Sequence, residues 1–254
     1  MDKKLKLELK NKYKITAIIP ARGGSKRITK KNIKKYAEKP LIYWSIKLAL
    51  ESIMIDNVIV STDDEEIAET AIKYGASVPY YRPKDISGDL STDYEFMEHY
   101  IEWINNHKNK NKYHTDIIVH LRPTYPNRKL EILDDAIYQY LKVVDNYDSL
   151  RTVCEMDKPA FKMYKMIGNE LIPLFKEING INEPYNMPAQ LLPKTYWHNG
   201  YLDILKVDTI TKKKSMSGDK IFSYVMDKNE IYDIDTIEEW ELSEQKFINY
   251  IEIN

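Results

Sequence analysis

Apolar positions in the first 150 residues follow two periods in alternation, short continuous runs and stretches that repeat every three to four residues. The continuous runs predict strands at Ile15–Pro20, Asn57–Ser61, Val78–Tyr81 and Asp116–Leu121. The helical spacing predicts helices over Leu41–Ser52, Glu65–Tyr74, Thr92–Asn106 and Leu130–Val143. Asp63 or Asp64 suits the N-cap of the second helix, and Gly75 its C′ position. Strands separated by helices of about 10–15 residues imply βαβ units, a parallel sheet and working loops at the strands' carboxyl ends.

The pattern changes after Tyr147. Short strands are expected at Ser149–Glu155, Lys162–Ile167, Leu171–Leu174, Tyr201–Leu205, Ile221–Val225 and Ile231–Ile234, with Gly168-Asn169 as a hairpin turn. The Pro- and Asn-rich stretch Asn179–Leu192 reads as an active-site loop or a subunit contact. Thr236–Tyr250 reads as a closing amphipathic helix. Met1–Lys14 reads as a loose lysine-rich extension, or a marginal edge strand through Leu5, Leu7 and Leu9. The whole chain, 1–254, is expected to form one domain.

With 38 basic and 39 acidic residues the net charge is −1, which argues against a general nucleic-acid or membrane-surface role. The one cysteine, Cys154, permits no internal disulfide and reads as a small apolar residue in a strand. No apolar run approaches the roughly 20 residues that span a bilayer, and the N-terminus lacks a signal-like apolar stretch. A soluble cytoplasmic protein is the expectation.

Against that near-neutral background, one turn is strongly basic. The first strand runs into Ala21-Arg22-Gly23-Gly24-Ser25-Lys26-Arg27, followed by Lys30, Lys31 and Asn32. Gly23, Gly24 and Ser25 leave backbone N–H groups uncovered, and the cations supply neutralising charge, which together suit a polyphosphate. No Gly-Lys-Ser/Thr follows, so it is not a P-loop; the third glycine of the dinucleotide fingerprint is missing too. The plain alternative is a solvated basic turn.

Asp233-Ile234-Asp235 places two carboxylates at i and i+2, one face of an extended segment. Two hard oxygen donors suit Mg²⁺; Asp235 or Thr236 equally suits a helix cap. Arg82 with the loop through Ser91 reads as a base-reading loop or as simple capping chemistry, and Arg122 or Arg128 as a bidentate partner for phosphate or carboxylate. Trp197-His198-Asn199-Gly200 is a sugar-facing turn or an Asn-Gly hairpin. His99, His107 and His114 read as surface groups and His120 as structural. No Ser-His-Asp or Cys-His arrangement stands out, which argues against covalent catalysis.

Ala21-Arg22-Gly23-Gly24-Ser25-Lys26, Lys31-Asn32, Ser61-Thr62-Asp63, Arg82-Pro83, Arg122-Pro123-Thr124-Tyr125-Pro126, Asn199-Gly200 and Asp233-Ile234-Asp235-Thr236 occur in an order that resembles acylneuraminate cytidylyltransferases, the CMP-sialic acid synthetases and their nonulosonic-acid relatives. The resemblance spans about Ile15 to Glu244. It implies an α/β nucleotidyltransferase-like, Rossmann-type three-layer fold with a mostly parallel sheet. It also implies a homodimer, with residues of about 148–192 supplying the dimer and sugar-side segment. The implied reaction is Mg²⁺-dependent attack of a 2-keto sugar acid on CTP, giving the CMP-sugar and pyrophosphate. By the same resemblance, Arg22, Lys26 and Lys31 would be catalytic. Gly23, Gly24, Ser25, Asn32, Arg82, Ser91 and Arg122 would bind nucleotide. Lys162, Gln190, Trp197 and Asn199 would bind sugar, and Asp233 and Asp235 would hold the metal.

The departures from the family pattern fall on the sugar side. Pro-Thr-Ser-Pro-Leu-Arg is here Pro123-Thr124-Tyr125-Pro126-Asn127-Arg128, and Arg122 stands where many members have glutamine. Trp197 stands where sialic acid synthetases often have arginine, and Tyr201-Leu202-Asp203 replaces Ala-Ile-Tyr. Lys162 or Lys165 is a substitute partner for the sugar carboxylate. Rival readings are the same chemistry on Kdo, a sugar 1-phosphate or a phosphonate, a non-catalytic nucleotide-binding module, and an NAD-dependent oxidoreductase, which lacks its glycine fingerprint.

Overall fold

The computed structural model describes residues 3–106 and 111–253; His107 lies outside the described residues. Eight strands matter to the site: β1 (Ile15–Pro20), β2 (Asn57–Ser61), β3 (Ile117–His120), β4 (Ser149–Glu155), β5 (Tyr164–Ile167), β6 (Glu170–Pro173), β7 (Tyr196–Lys206) and β8 (Ile221–Val225). The helices are α1 (Lys3–Lys10), α2 (Leu41–Glu51), α3 (Glu65–Lys73), α4 (Asp93–Asn106), α5 (Leu130–Val143), α6 (Val207–Thr211) and α7 (Ile237–Ile253). Six strands form one sheet in the order β8-β4-β7-β3-β1-β2. The β1–β2, β1–β3 and β4–β8 pairs are parallel, and β7 alone runs against its neighbours β3 and β4.

Alternation along β1 builds three layers. Ile15, Ala17 and Ile19 face the core shared with α2 and α5, whereas Ile18 faces the core shared with α4 and α6. Both faces are covered, so the strand reads as a continuous apolar run instead of an alternating one. A third cluster, Ile28, Tyr36, Leu41, Ile234, Trp240 and Phe247, ties α7 to the segment after the basic loop. That cluster brings Asp233 and Asp235 back across about 200 residues of chain toward Lys31.

Several expectations need correcting. The N-terminal segment is a helix, not a loose extension or an edge strand: α1 packs on α5, and Lys10 pairs with Asp56 at the start of β2. Val78–Tyr81 makes no strand; isolated bridges join Ile59 to Ser77 and Thr62 to Tyr81. Ile231–Ile234 is extended but unpaired as a strand, held where the Ile234 N–H donates to the Thr124 carbonyl at 3.0 Å. Trp197-His198-Asn199-Gly200 is no hairpin turn. It lies within β7, where the register against β4 shifts between His198 and Asp203 and Gly200 takes a φ of +72°. The hairpin expected at Gly168 does form, joining β5 to β6, with Gly168 at a φ of +59°. His99 is half-buried against the Tyr80 ring, not a surface group. Among the described residues, no helix is long and apolar enough to cross a membrane.

Candidate active site

The loops after β1 and β3 meet the segment before α7 around a cleft of about 510 Å³ lined by Arg22, Ser25, Lys26, Lys31, Asn32, Arg122 and Asp235. β1 lies between β3 and β2, so its loop opens at the middle of this half of the sheet. Three contacts fix that loop. The Gly23 N–H donates to Asp63 Oδ1 at 2.9 Å, and the Asn32 amide donates to the Arg22 carbonyl at 3.0 Å. The third is steric: a Cβ on Gly23 would sit 2.7 Å from Asp64 Oδ2, so only glycine fits. Asp64, rather than Asp63, caps α3, accepting from the Ile67 N–H at 3.0 Å.

Every cation of the cleft has a carboxylate partner. Arg22 meets Asp89 at 3.0 Å, and Lys26 pairs with the other oxygen of the same carboxylate. Arg27 and Lys31 share Asp235, at 3.1 and 3.3 Å, and Lys31 also donates to the Ile234 carbonyl at 2.9 Å. These pairs are partly exposed and therefore weak. A polyphosphate exchanges them for stronger, multivalent partners.

At the Asp233-Ile234-Asp235 segment the helix cap is made by other residues. Thr236 caps α7, accepting from the Glu239 N–H at 3.2 Å, while Glu239 accepts from the N–H groups of Asp235 and Thr236 at 2.8 Å. This reciprocal arrangement is a capping box, and it leaves both aspartate side chains out of the cap. Ile234 is fully buried between them. Partial desolvation raises the Asp233 carboxyl above its ordinary range; a hydrogen bond from Thr124 opposes this and the charge of Asp235 adds to it.

The other candidate residues divide. Arg82 is buried, donates to the Ser61 hydroxyl and carbonyl at 3.1 and 2.6 Å, and stacks on Phe96; it does not line the cleft. Ser91 accepts from the Gly88 N–H at 2.9 Å within its own loop. Gly24 is open, with nothing within 4 Å of a would-be Cβ. Asn199 is 1 % exposed; its carbonyl oxygen accepts from Thr152 and from the Tyr201 N–H, and its amide donates to Cys154, so the side chain holds β7 to β4. Lys162, Gln190 and Trp197 lie outside the cleft, Lys162 reaching the Tyr185 carbonyl at 3.4 Å and the other two exposed. Cys154 is a buried free thiol, as its strand position implies.

Two carboxylates that line the cleft were given no role from the sequence: Asp89 bridges Arg22 and Lys26, and Asp93 opens α4. Behind them Asp203 lies buried on β7, and His120, expected to be structural, is wholly buried beside Asp93 and Asp203. Arg122 donates to Asp93 at 2.6 Å and to Asp203 at 3.1 Å. Burial opposes ionisation of Asp203, but His120, His198 and Arg122 outweigh it and hold its carboxyl well below the usual range. Burial pushes His120 down, with Arg122 adding to the effect and Asp93 and Asp203 opposing it. Arg128 is stacked between Tyr125 and Tyr201 and pushed down to about 10 by burial.

The family model described as Cytidylyltransferase matches residues 16–166. The chain is 34 % identical over 232 residues to a pseudaminic acid cytidylyltransferase of Campylobacter jejuni, covering 89 % of this chain and 93 % of that protein. It is 31 % identical over 235 residues to a CMP-N,N'-diacetyllegionaminic acid synthase of Legionella pneumophila, covering 91 % and 95 %. A solved CMP:2-keto-3-deoxy-manno-octonic acid synthetase in complex with CTP superposes with a TM-score of 0.64 at 14 % identity, over 93 % of this chain and 99 % of that one, which shows a shared fold. By its sequence and by the cleft it builds, the chain is an enzyme of the cytidylyltransferase family.

Proposed function

We propose that this enzyme couples CTP to a nonulosonic acid, releasing pyrophosphate and forming the CMP-sugar. One observation carries the reading: a glycine loop bearing Arg22 and Lys26 faces Asp235 across Lys31, inside one cleft. The relatives named for pseudaminic and legionaminic acids support an acceptor of that class.

Arg22 and Lys26 bind the β- and γ-phosphates in place of Asp89, whereas the Gly23 and Ser25 N–H groups, expected from the sequence to be uncovered, are committed to Asp63 and to the Gly23 carbonyl. Lys31 is only 16 % exposed and is held by two partners, so it is oriented toward the α-phosphate without loss of rotamer freedom. Asn32 fixes the Arg22 carbonyl and hence the loop's pitch. Asp233 and Asp235 fit Mg²⁺ by donor chemistry: both are hard carboxylates, neither is used as a cap, and among the described residues Asp233 has no basic partner within ion-pair distance. Bound there, Mg²⁺ would neutralise phosphate charge and ease deprotonation of the acceptor hydroxyl. The residues' own task is in-line positioning and charge stabilisation, with no covalent intermediate.

A homodimer belongs to the same reading. The β5–β6 hairpin exposes Met166 by 72 %, Ile167 by 60 % and Leu171 by 61 %, an apolar surface that a second copy would cover. Light scattering should report twice the chain mass, and Met166→Asp with Leu171→Asp should halve it. The enzyme would act in the cytoplasm, the compartment that holds CTP. The direct test is pyrophosphate release with CTP, Mg²⁺ and a panel of nonulosonic acids, beside ATP, GTP and UTP. Release that requires CTP and one such acid supports the reading; release without any acid, or with another nucleotide only, overturns it.

A further inference from the structure

Arg122 stands on the cleft wall in an unusual electrostatic position. Its guanidinium leaves the end of β3, is about a quarter exposed, and is gripped by two carboxylates: Nη2 donates to Asp93 Oδ2 at 2.6 Å, and Nη1 to Asp203 Oδ2 at 3.1 Å. Nη1 also donates to the Gly200 carbonyl at 3.3 Å. Asp203 is 2 % exposed, and its other oxygen accepts from His198 Nε2 at 2.8 Å, with Arg151 Nε at 3.5 Å. His120 fills the floor, its Nδ1 lying 3.9 and 3.8 Å from the two carboxylates without a hydrogen bond.

This grip decides what Arg122 can recognise. A lone arginine would attract the acceptor's carboxylate, but here two negative charges already match the guanidinium, and Asp93 would repel a third at the same wall. Hydrogen-bonding capacity remains. Of a guanidinium's five N–H groups, these contacts use three. Asp93 is 39 % exposed and also lines the cleft, and among the described residues only its Oδ2 is engaged. The wall therefore presents a donor and an acceptor side by side. Their complement is a secondary amide, whose carbonyl accepts from Arg122 and whose N–H donates to Asp93. A hydroxyl offers a single oxygen for both bonds, where the amide offers two atoms set apart.

The wall lies on the acceptor's side. Across the sheet top the order of loops is Arg82 after β2, the phosphate loop after β1, then Arg122 after β3 and beside β7, away from the Arg82 loop. The sequence departures converge here as well. Arg122 bonds Asp203, Tyr125 donates to the Asn199 carbonyl, the Tyr125 and Tyr201 rings are 6.1 Å apart, and the Lys129 N–H donates to the Tyr201 hydroxyl at 2.8 Å. Positions scattered in sequence thus form one exchanged wall.

We infer that Arg122 and Asp93 together read an acylamino substituent of the acceptor, and that Asp203 is a positioning residue that fixes Arg122. The inference rests on the cytidylyl-transfer reading above. Its test uses the full chain with CTP and Mg²⁺ and two nonulosonic acids that differ by one acylamino group in place of a hydroxyl. Turnover by the wild-type enzyme first establishes the reading. Arg122→Gln and Asp93→Asn should then each lower kcat/KM on the acylamino acid by about 10- to 100-fold. In Asp93→Asn the hydroxyl acid should change less than threefold, and KM for CTP should not move. Asp203→Asn should raise KM for the acylamino acid while kcat holds. Asp93 is partly exposed, so its variant folds even where loss of Arg122 unsettles the buried Asp203. Equal losses on both acids, or a raised KM for CTP in the Asp93 variant, would overturn the inference. Wild-type enzyme inert on both acids would overturn the underlying reading instead.

Discussion

Asp235→Asn separates catalysis from stability in a way the structure makes quantitative. The Asp235 carboxylate is 48 % exposed, and its partners Arg27 and Lys31 are 70 % and 16 % exposed. Pairs so open to water contribute about 0–1 kcal/mol, and α7 keeps its cap because Thr236 and Glu239 supply it. A loss of about 1 kcal/mol lowers Tm by roughly 2–4 °C in a chain of this size. Turnover should fall far more. Losing one charged ligand beside the reacting phosphates raises the barrier by about 3–4 kcal/mol, or roughly 10²- to 10³-fold. Metal-free CTP binding should hold or tighten, since Arg27 and Lys31 are released from their anion. Thr236→Ala is the counterpart: about 1 kcal/mol of stability lost, with turnover within a few-fold of wild type. Calorimetric melting, pyrophosphate release and CTP titration in EDTA measure the three quantities. A fall in Tm of more than about 6 °C in the asparagine variant, or turnover within threefold, would refute the reasoning.

Three further outcomes are expected. Gly23→Ala places a Cβ 2.7 Å from Asp64 Oδ2 and 2.9 Å from Asp64 Cβ, so the loop or the α3 cap must shift; KM for CTP should rise about tenfold or more with the fold retained by circular dichroism. Asp148 accepts from Lys213 and from the N–H groups of Asp219 and Lys220, which hold its pKa at about 2. Its folded value lies below the unfolded one, near 3.9, so this stabilisation is full above about pH 5 and lost as pH falls toward 2. The urea midpoint should therefore drop from pH 6 to pH 3, and drop less in Asp148→Asn; equal drops would exclude Asp148 as a source. Arg128→Ala strands the Tyr201, Arg122 and Tyr125 carbonyls and empties the space between two rings, which should cost about 3–5 kcal/mol; a Tm within 2 °C of wild type would contradict it.

The sequence by itself determined what depends on local order. The buried runs at β1, β2 and β3 and the helical spacing of α2 to α5 were legible because burial on both faces leaves continuous apolar strands, and a single buried face leaves a 3.6-residue period. The basic glycine loop stood out because its glycines and cations are contiguous, and the Asp-x-Asp pair because both carboxylates fall within three residues. Tertiary structure decided the rest. It made a helix of the N-terminal segment by packing it on α5, and it inserted β7 antiparallel between β3 and β4, a pairing that local periodicity cannot encode. It turned Asn199 and Arg82 inward, where neighbours satisfy them. It also gave Asp235 to Arg27 and Lys31 instead of the helix cap, since the reciprocal bonds of Thr236 and Glu239 show that the cap needs no aspartate. Most of all it assembled Asp93, Arg122 and Asp203, three charges from α4, the end of β3 and β7 that are unremarkable apart. Charge pairing acts through space at about 3 Å, so residues 81 positions apart in the chain become one group only when the sheet brings them together.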